Sequence, residues 1–132
     1  MELNVRLLRD EDYETIANWW KWWKWPVLPK KSLPPTGLMV EKGNVSIVSC
    51  YIYITNSTGA LLEWVVSNPE YREKDRKKAI ELLLIAAEKM LKDQGVTYIF
   101  SIGRNKSLIE THKKLGWTVD TDPSYEIIKN IE

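Results

Sequence analysis

The stretch "ALLEWVVSNPEYREKDRKKAIELLLIAAEKMLKDQGVTYIFSI" (Ala60–Ile102) decides the fold. Ala60–Ser67 is almost continuously apolar, which suits a central strand covered on both faces. Ile80, Leu83, Leu84, Ala87, Met90 and Leu91 then recur at i, i+3, i+4, i+7, i+10 and i+11, the stripe of an amphipathic helix. Gly95 is its natural C-terminal stop. Val96–Ile102 is a second buried strand. A long helix between two strands of one sheet acts as a crossover, so these strands should run parallel.

Upstream, Leu3, Val5 and Leu7 alternate with polar residues, so residues 3–8 read as a half-buried strand. Asp10–Trp23 reads as a helix, and its acidic start suits the positive end of the helix dipole. "WPVLPKKSLPPTG" (Trp25–Gly37) carries four prolines, which forbid helix and central strand alike, so a long ordered loop is expected. Leu38–Lys42, a Gly43-Asn44 turn, Val45–Thr55, an Asn56–Gly59 turn and Ala60–Ser67 form a three-strand meander. Downstream, Asn105 can cap a helix over Lys106–Leu115 that Gly116 ends. Trp117–Val119 and Tyr125–Lys129 look like a closing pair of strands. The expected class is α+β (α/β). It has a single mixed, mostly antiparallel sheet of six or seven strands with helices on both faces, all in one domain over residues 1–132.

Composition narrows the function. The 19 basic and 18 acidic residues leave a net charge of +1, so no chain-wide field gathers nucleic acid. The longest strictly apolar run, "LLLIAA" (Leu82–Ala87), is far short of a membrane span, and the charged N-terminus does not read as a signal peptide. Cys50 is the only cysteine, which excludes an internal disulfide and fits a reducing, cytoplasmic setting. With one cysteine and one histidine, no metal-ligand spacing is visible.

Three features carry chemistry. Glu63 interrupts the apolar run "LLEWVV"; a carboxylate there is costly unless it is paired in a structural ion pair or functional. His112, the only histidine, shares the inward stripe Leu108, His112, Leu115; it is either a core histidine bonded to backbone or a proton-transfer group. Residues Arg72, Glu73, Lys74, Asp75, Arg76, Lys77 and Lys78 hold five basic and two acidic side chains at the start of the long helix. A helix N-terminus offers unpaired amides and partial positive charge, so it suits a phosphate-bearing ligand. The alternative is a solvated basic helix start.

At "VVSNPEYREKDRKKAIELL" and "NKSLIETHKKLGW" the sequence resembles the GNAT N-acetyltransferase superfamily, and the element order agrees across almost the whole chain. The matching residues are Pro69, Tyr71, Arg72, Asn105, Lys114, Leu115, Gly116 and Trp117. Small phage-encoded members look similar in the "WW…P…LP…G" segment. The resemblance implies acetyl-CoA as co-substrate, with its pyrophosphate at Arg72–Lys78 and its pantetheine arm along the backbone of Val66 and Ser67, near Asn105. It implies Glu63 as general base for the amine and His112 in place of the family's tyrosine, the acid for the departing thiolate. The family's loop, Arg/Gln-x-x-Gly-x-Gly/Ala, is degenerate here: Asp75 and Lys77 replace both glycines. The function expected is acetyl transfer to a primary amine of a small molecule or peptide, by a monomer or homodimer. A catalytically degenerate binding or virion-associated protein on the same fold is the alternative.

The segment "WWKWWKWP" (Trp19–Pro26) puts five tryptophans into seven residues. Such a segment can stack single-stranded nucleic-acid bases, a third alternative that the neutral overall charge disfavours. At helical spacing Tyr13, Ile16, Trp20 and Trp23 share one face and should be core, with Trp19 at its flank. In GNAT-like folds the first helix and following loop wall the acceptor pocket, so Trp19, Trp22 and Trp25 are the candidates to line it.

Overall fold

Two faces of one sheet organise the chain, whose computed structural model describes residues 1–132. Five strands lie in sequence order: β1 (Leu3–Leu7), β2 (Gly37–Lys42), β3 (Val45–Ile54), β4 (Gly59–Ser67) and β5 (Tyr98–Ser101). The first four pair antiparallel; β5 joins β4 in parallel after the crossover helix α2 (Arg76–Asp93). The sheet is mixed and mostly antiparallel, as expected. Helix α2 and α3 (Lys106–Lys114) lie on one face, where Leu83, Leu84 and Leu91 pack on Val40, Val48, Ile52 and Leu62. Helix α1 (Asp12–Trp22) covers the other, where Trp20 and Ile16 pack on Met39, Tyr51, Trp64 and Val66. No helix is long and apolar enough to cross a membrane.

Helix α1 starts where Asp12 turns back on the chain. Its carboxylate accepts from the Arg9 amide at 2.7 Å and from the Arg6 guanidinium at 2.8 and 3.0 Å. The helix ends one residue sooner than its periodicity suggests. Lys24 adopts φ 62°, and the Trp25 amide donates back to the Trp20 carbonyl at 2.8 Å. This left-handed stop is the usual work of a glycine or asparagine. The proline-rich loop beyond it is ordered: Leu28 and Leu33 pack on the tryptophan cluster, and the Tyr13 hydroxyl donates to the Leu28 carbonyl at 2.7 Å. At its end the chain passes so close to Leu8 and the Cys50 carbonyl that a Cβ on Gly37 would lie 2.4 and 2.5 Å from them.

The strand count is the correction. Trp117–Val119 and Tyr125–Lys129 form no strands, so the sheet has five rather than six or seven. A strand needs a partner for its backbone as well as an apolar pattern. The C-terminal segment gets its attachment from side chains instead: Glu126 pairs with Arg104 and Glu132 with Lys31. Tyr125 and Ile127 are left exposed.

Candidate active site

The site begins with a bulge. Tyr51 pairs with Glu63 and Ser49 with Val66, so β4 carries an extra residue between two rungs of β3. Trp64 absorbs it at φ 59°, a conformation rare for a bulky side chain. The bulge sends Trp64 and Val66 to the α1 face and Val65 to the α2 face. It also re-aims the strand. The parallel pairing of β4 with β5 stops at Leu62 and Ser101, while β4 continues to Ser67. From Glu63 to Ser67, the edge of β4 toward β5 has no strand partner.

A cleft of about 330 Å³ lies at this opening. Its walls are the end of β4 (Val65, Val66, Ser67), the start of α2 and the start of α3, where Asn105 caps by accepting from the Leu108 amide at 2.7 Å. The end of α1 closes it with Trp23 and Trp25. The Trp23 indole donates to the Ser67 carbonyl at 2.9 Å, and the Arg76 guanidinium reaches the Ser67 hydroxyl at 3.2 Å.

The basic helix start leaves amide donors free. In the first turn of α2 the amides of Lys77 and Lys78 have no backbone acceptor. Lys74, Arg76 and Lys77 line the cleft, opposed only by Glu73. The replaced glycines cost no backbone strain: Asp75 sits at φ −87° and Lys77 is helical. Nor does Asp75 aim its charge at the cleft. It accepts from the Tyr71 hydroxyl at 2.6 Å and from Lys42 at 2.9 Å, contacts that hold its carboxyl below the ordinary range. Arg72, Asp75 and Lys78 side chains do not line the cleft.

Glu63 lies on the other side of the opening, in a second cleft of about 460 Å³ with Tyr53, Leu61, Trp64, Phe100, Ile102, Glu126 and Ile128. It is 7% exposed, and its Oε1 is buried with no hydrogen-bond partner. Burial lifts its carboxyl to about 7, opposed by the charge of Arg104 and the Ile102 amide. Neither partner makes the structural ion pair weighed above, since no lysine or arginine contacts it as a salt bridge. Arg104 joins the two clefts instead. Its guanidinium lies 5.2 Å from the Trp25 ring centroid and 4.7 Å from that of Trp64, and it pairs with Glu126.

Sequence reasoning missed Arg104, Tyr53 and Glu126, which are far apart in the chain. The only local signal was Arg104 standing beside the capping Asn105.

The remaining candidates fall elsewhere. His112 is buried with Nδ1 2.9 Å from the Leu108 carbonyl, which fixes Nδ1 as the donor. Its Nε2 has no partner, and its ring packs edge-on against Trp117 in a separate cavity with Ser101 and Asp120. Burial lowers its pKa, so near neutrality it is an uncharged acceptor. The structure does not bring it into either cleft. Trp19 is buried in the core, Trp22 is 53% exposed and lines neither cleft, and Trp25 lines the Ser67 cleft rather than that of Glu63. Helix α1 is rotated so that Trp19 and Trp20 both meet the sheet, and the Lys24 reversal throws Trp25 back over it. The five tryptophans therefore form no continuous exposed platform.

No protein-family model and no curated protein sequence matches the chain. Solved structures do. The ribosomal-protein-S18-alanine N-acetyltransferase from Escherichia coli superposes with a TM-score of 0.73 at 14% identity, covering 91% of this chain and 80% of that one. A GNAT-family acetyltransferase from Streptococcus pneumoniae gives 0.68 at 10% identity, covering 99% and 100%. The PaiA N-acetyltransferase from Thermoplasma acidophilum, solved in complex with coenzyme A, gives 0.64 at 20% identity, covering 93% and 94%. By these superpositions over nearly its whole length, the chain has the fold of the GNAT N-acetyltransferases.

Proposed function

We propose that the protein is an acetyl-CoA-dependent N-acetyltransferase acting on a primary amine. The observation that carries this is the placement of two clefts along the end of β4 where it has no strand partner, one at Val65–Ser67 and one at Glu63. A basic helix terminus with free amides lines the first, and a carboxylate of raised pKa whose Oε1 has no partner lines the second. Acetyl-CoA would supply a thioester carbonyl activated for attack. Lys74, Arg76 and Lys77, with the Lys77 and Lys78 amides, fit its phosphates. The unpaired edge of Val65–Ser67 fits an amide-bearing arm laid down as an added strand.

The chain's own groups then do two things. They hold the amine and the thioester in neighbouring clefts along the end of β4, and this positioning supplies most of the catalytic advantage. Glu63, poised near 7, takes the proton the amine must lose before it attacks, directly or through one water. His112, neutral and in its own cavity, holds no spare proton for the departing thiolate, which takes one from solvent in the open cleft.

The test is a titration with acetyl-CoA followed by amide shifts and thermal melting, and then thiol release with a panel of amines. Shifts at Arg76–Lys78 and Val65–Ser67, with amine-dependent thiol release abolished in Glu63→Gln, are expected. Absence of both shift and stabilisation sinks the proposal. Coenzyme binding without transfer to any amine would leave the degenerate binding module as the function.

A further inference from the structure

We propose that the Glu63 cleft selects a primary amine carried on an apolar, aromatic-sized body that has no carboxylate of its own. The assignment rests on Glu63 receiving the acceptor amine, as proposed above.

The walls are the first reason. Leu61, Trp64, Phe100, Ile102 and Ile128 make the cleft overwhelmingly apolar. Four of them are also large hydrophobic side chains left open to water: Ile128 at 59%, Phe100 at 56%, Ile102 at 44% and Leu61 at 37%. Apolar surface gathered around one cavity marks a place where something apolar binds. The volume, about 460 Å³, suits a body the size of one or two rings.

The polar groups are the second reason, because few exist and nearly all are spoken for. The Tyr53 hydroxyl accepts from the Trp64 indole at 3.2 Å. Glu126 is paired with Arg104, and Arg104 is stacked on two indoles. Two polar atoms of the lining residues are buried without a partner, Ser101 Oγ and Glu63 Oε1, and of the two only Glu63 can carry a charge. A buried acceptor without a donor is costly, and an ammonium supplies the donor together with the opposite charge. A second carboxylate on the ligand would face Glu63 and Glu126, with Arg104 already engaged. A polyamine would bury further charges against Phe100 and Leu61 with no partner for them. Both are therefore excluded by the same wall that favours an apolar amine.

The experiment compares 2-phenylethylamine, phenylalanine and spermidine on the full chain at pH 8, by amide-resolved titration and by thiol release with acetyl-CoA. Phenylethylamine should bind at least about tenfold more tightly than either comparator. It should shift Phe100 and Ile102 and lose its grip in Glu63→Gln. Phe100→Ala, a change at an exposed position, should weaken phenylethylamine and narrow its advantage over spermidine.

Acetyl transfer to spermidine or to an alanyl peptide in preference to phenylethylamine would overturn this inference while leaving the acetyltransferase intact. Phenylethylamine binding at Glu63 without any response to acetyl-CoA would overturn the transferase and keep the amine site. Self-association that buries Phe100 and Ile102 would show a second copy of the chain as the occupant and overturn it as well.

Discussion

The Trp23 indole nitrogen donates to the Ser67 carbonyl across 2.9 Å, tying the end of α1 to the end of β4 at the mouth of the cleft. Its neighbour Trp22 packs edge-on against it, with ring centroids 4.8 Å apart, and faces solvent. The hydrogen bond fixes the strand end along which the coenzyme arm is proposed to lie. Trp23→Phe keeps a ring and removes the donor. It should cost about 1 kcal/mol of stability and weaken acetyl-CoA binding by roughly fivefold, read by urea unfolding and calorimetric titration. Unchanged affinity in a destabilised variant would make the bond purely structural.

The tryptophan cluster predicts two very different alanine variants. Trp20 is fully buried between Tyr13, Tyr51 and Trp64. Trp20→Ala should cost about 3–5 kcal/mol. Trp22→Ala, at an exposed position, should stay within about 0.5 kcal/mol. Denaturant midpoints of the two variants decide the matter; equal losses would contradict the helix orientation.

Glu63 predicts a pH signature. Its folded pKa, about 7, lies above the ordinary 4.5, so the fold binds this proton more tightly than the unfolded chain does. The stabilisation is full below 4.5 and is lost as pH rises through 7. Glu63→Gln imitates the protonated form and should therefore gain on the native chain between pH 5 and 8, by on the order of 2–3 kcal/mol. Unfolding at both pH values measures it, and a difference independent of pH would refute the raised pKa. Acetyl transfer by the native chain should rise through the same window, because only the carboxylate accepts the amine's proton.

The helix start predicts which charges matter. Asp75 is occupied by Tyr71 and Lys42, away from the cleft. Asp75→Ala should change acetyl-CoA affinity by less than about twofold, whereas Lys77→Ala should weaken it by roughly five- to tenfold at low salt and less at high salt. Titrations at two salt concentrations separate these effects; a large gain in affinity from Asp75→Ala would show that its carboxylate repels the phosphates after all.

Local pattern carried much of the fold. The period of α2, the apolar runs of β3 and β4, the Asn105 cap and the turn glycines are each set by residues close in sequence. The parallel pairing of β5 follows from the long helix before it. The C-terminal "YEIIK" has the same local pattern and forms no strand, because alternation states a preference and pairing needs a partner edge.

In the site, Glu63 was legible as a carboxylate in an apolar run, and the basic cluster as a helix start. Their relation was not. The left-handed Trp64, the reversal at Lys24 and the placement of Arg104 between Trp25 and Trp64 have no signature in neighbouring residues.

The sequence by itself determined the three helices and the five strands that form, though not that the C-terminal segment stays unpaired, and which few side chains can move a proton or hold an anion. Those properties depend on local periodicity and side-chain chemistry. Only the tertiary structure decided where the sheet opens, that His112 faces its own cavity, and that Trp25 rather than Trp22 reaches the cleft. Those outcomes depend on a single bulge and on packing between residues far apart in the chain.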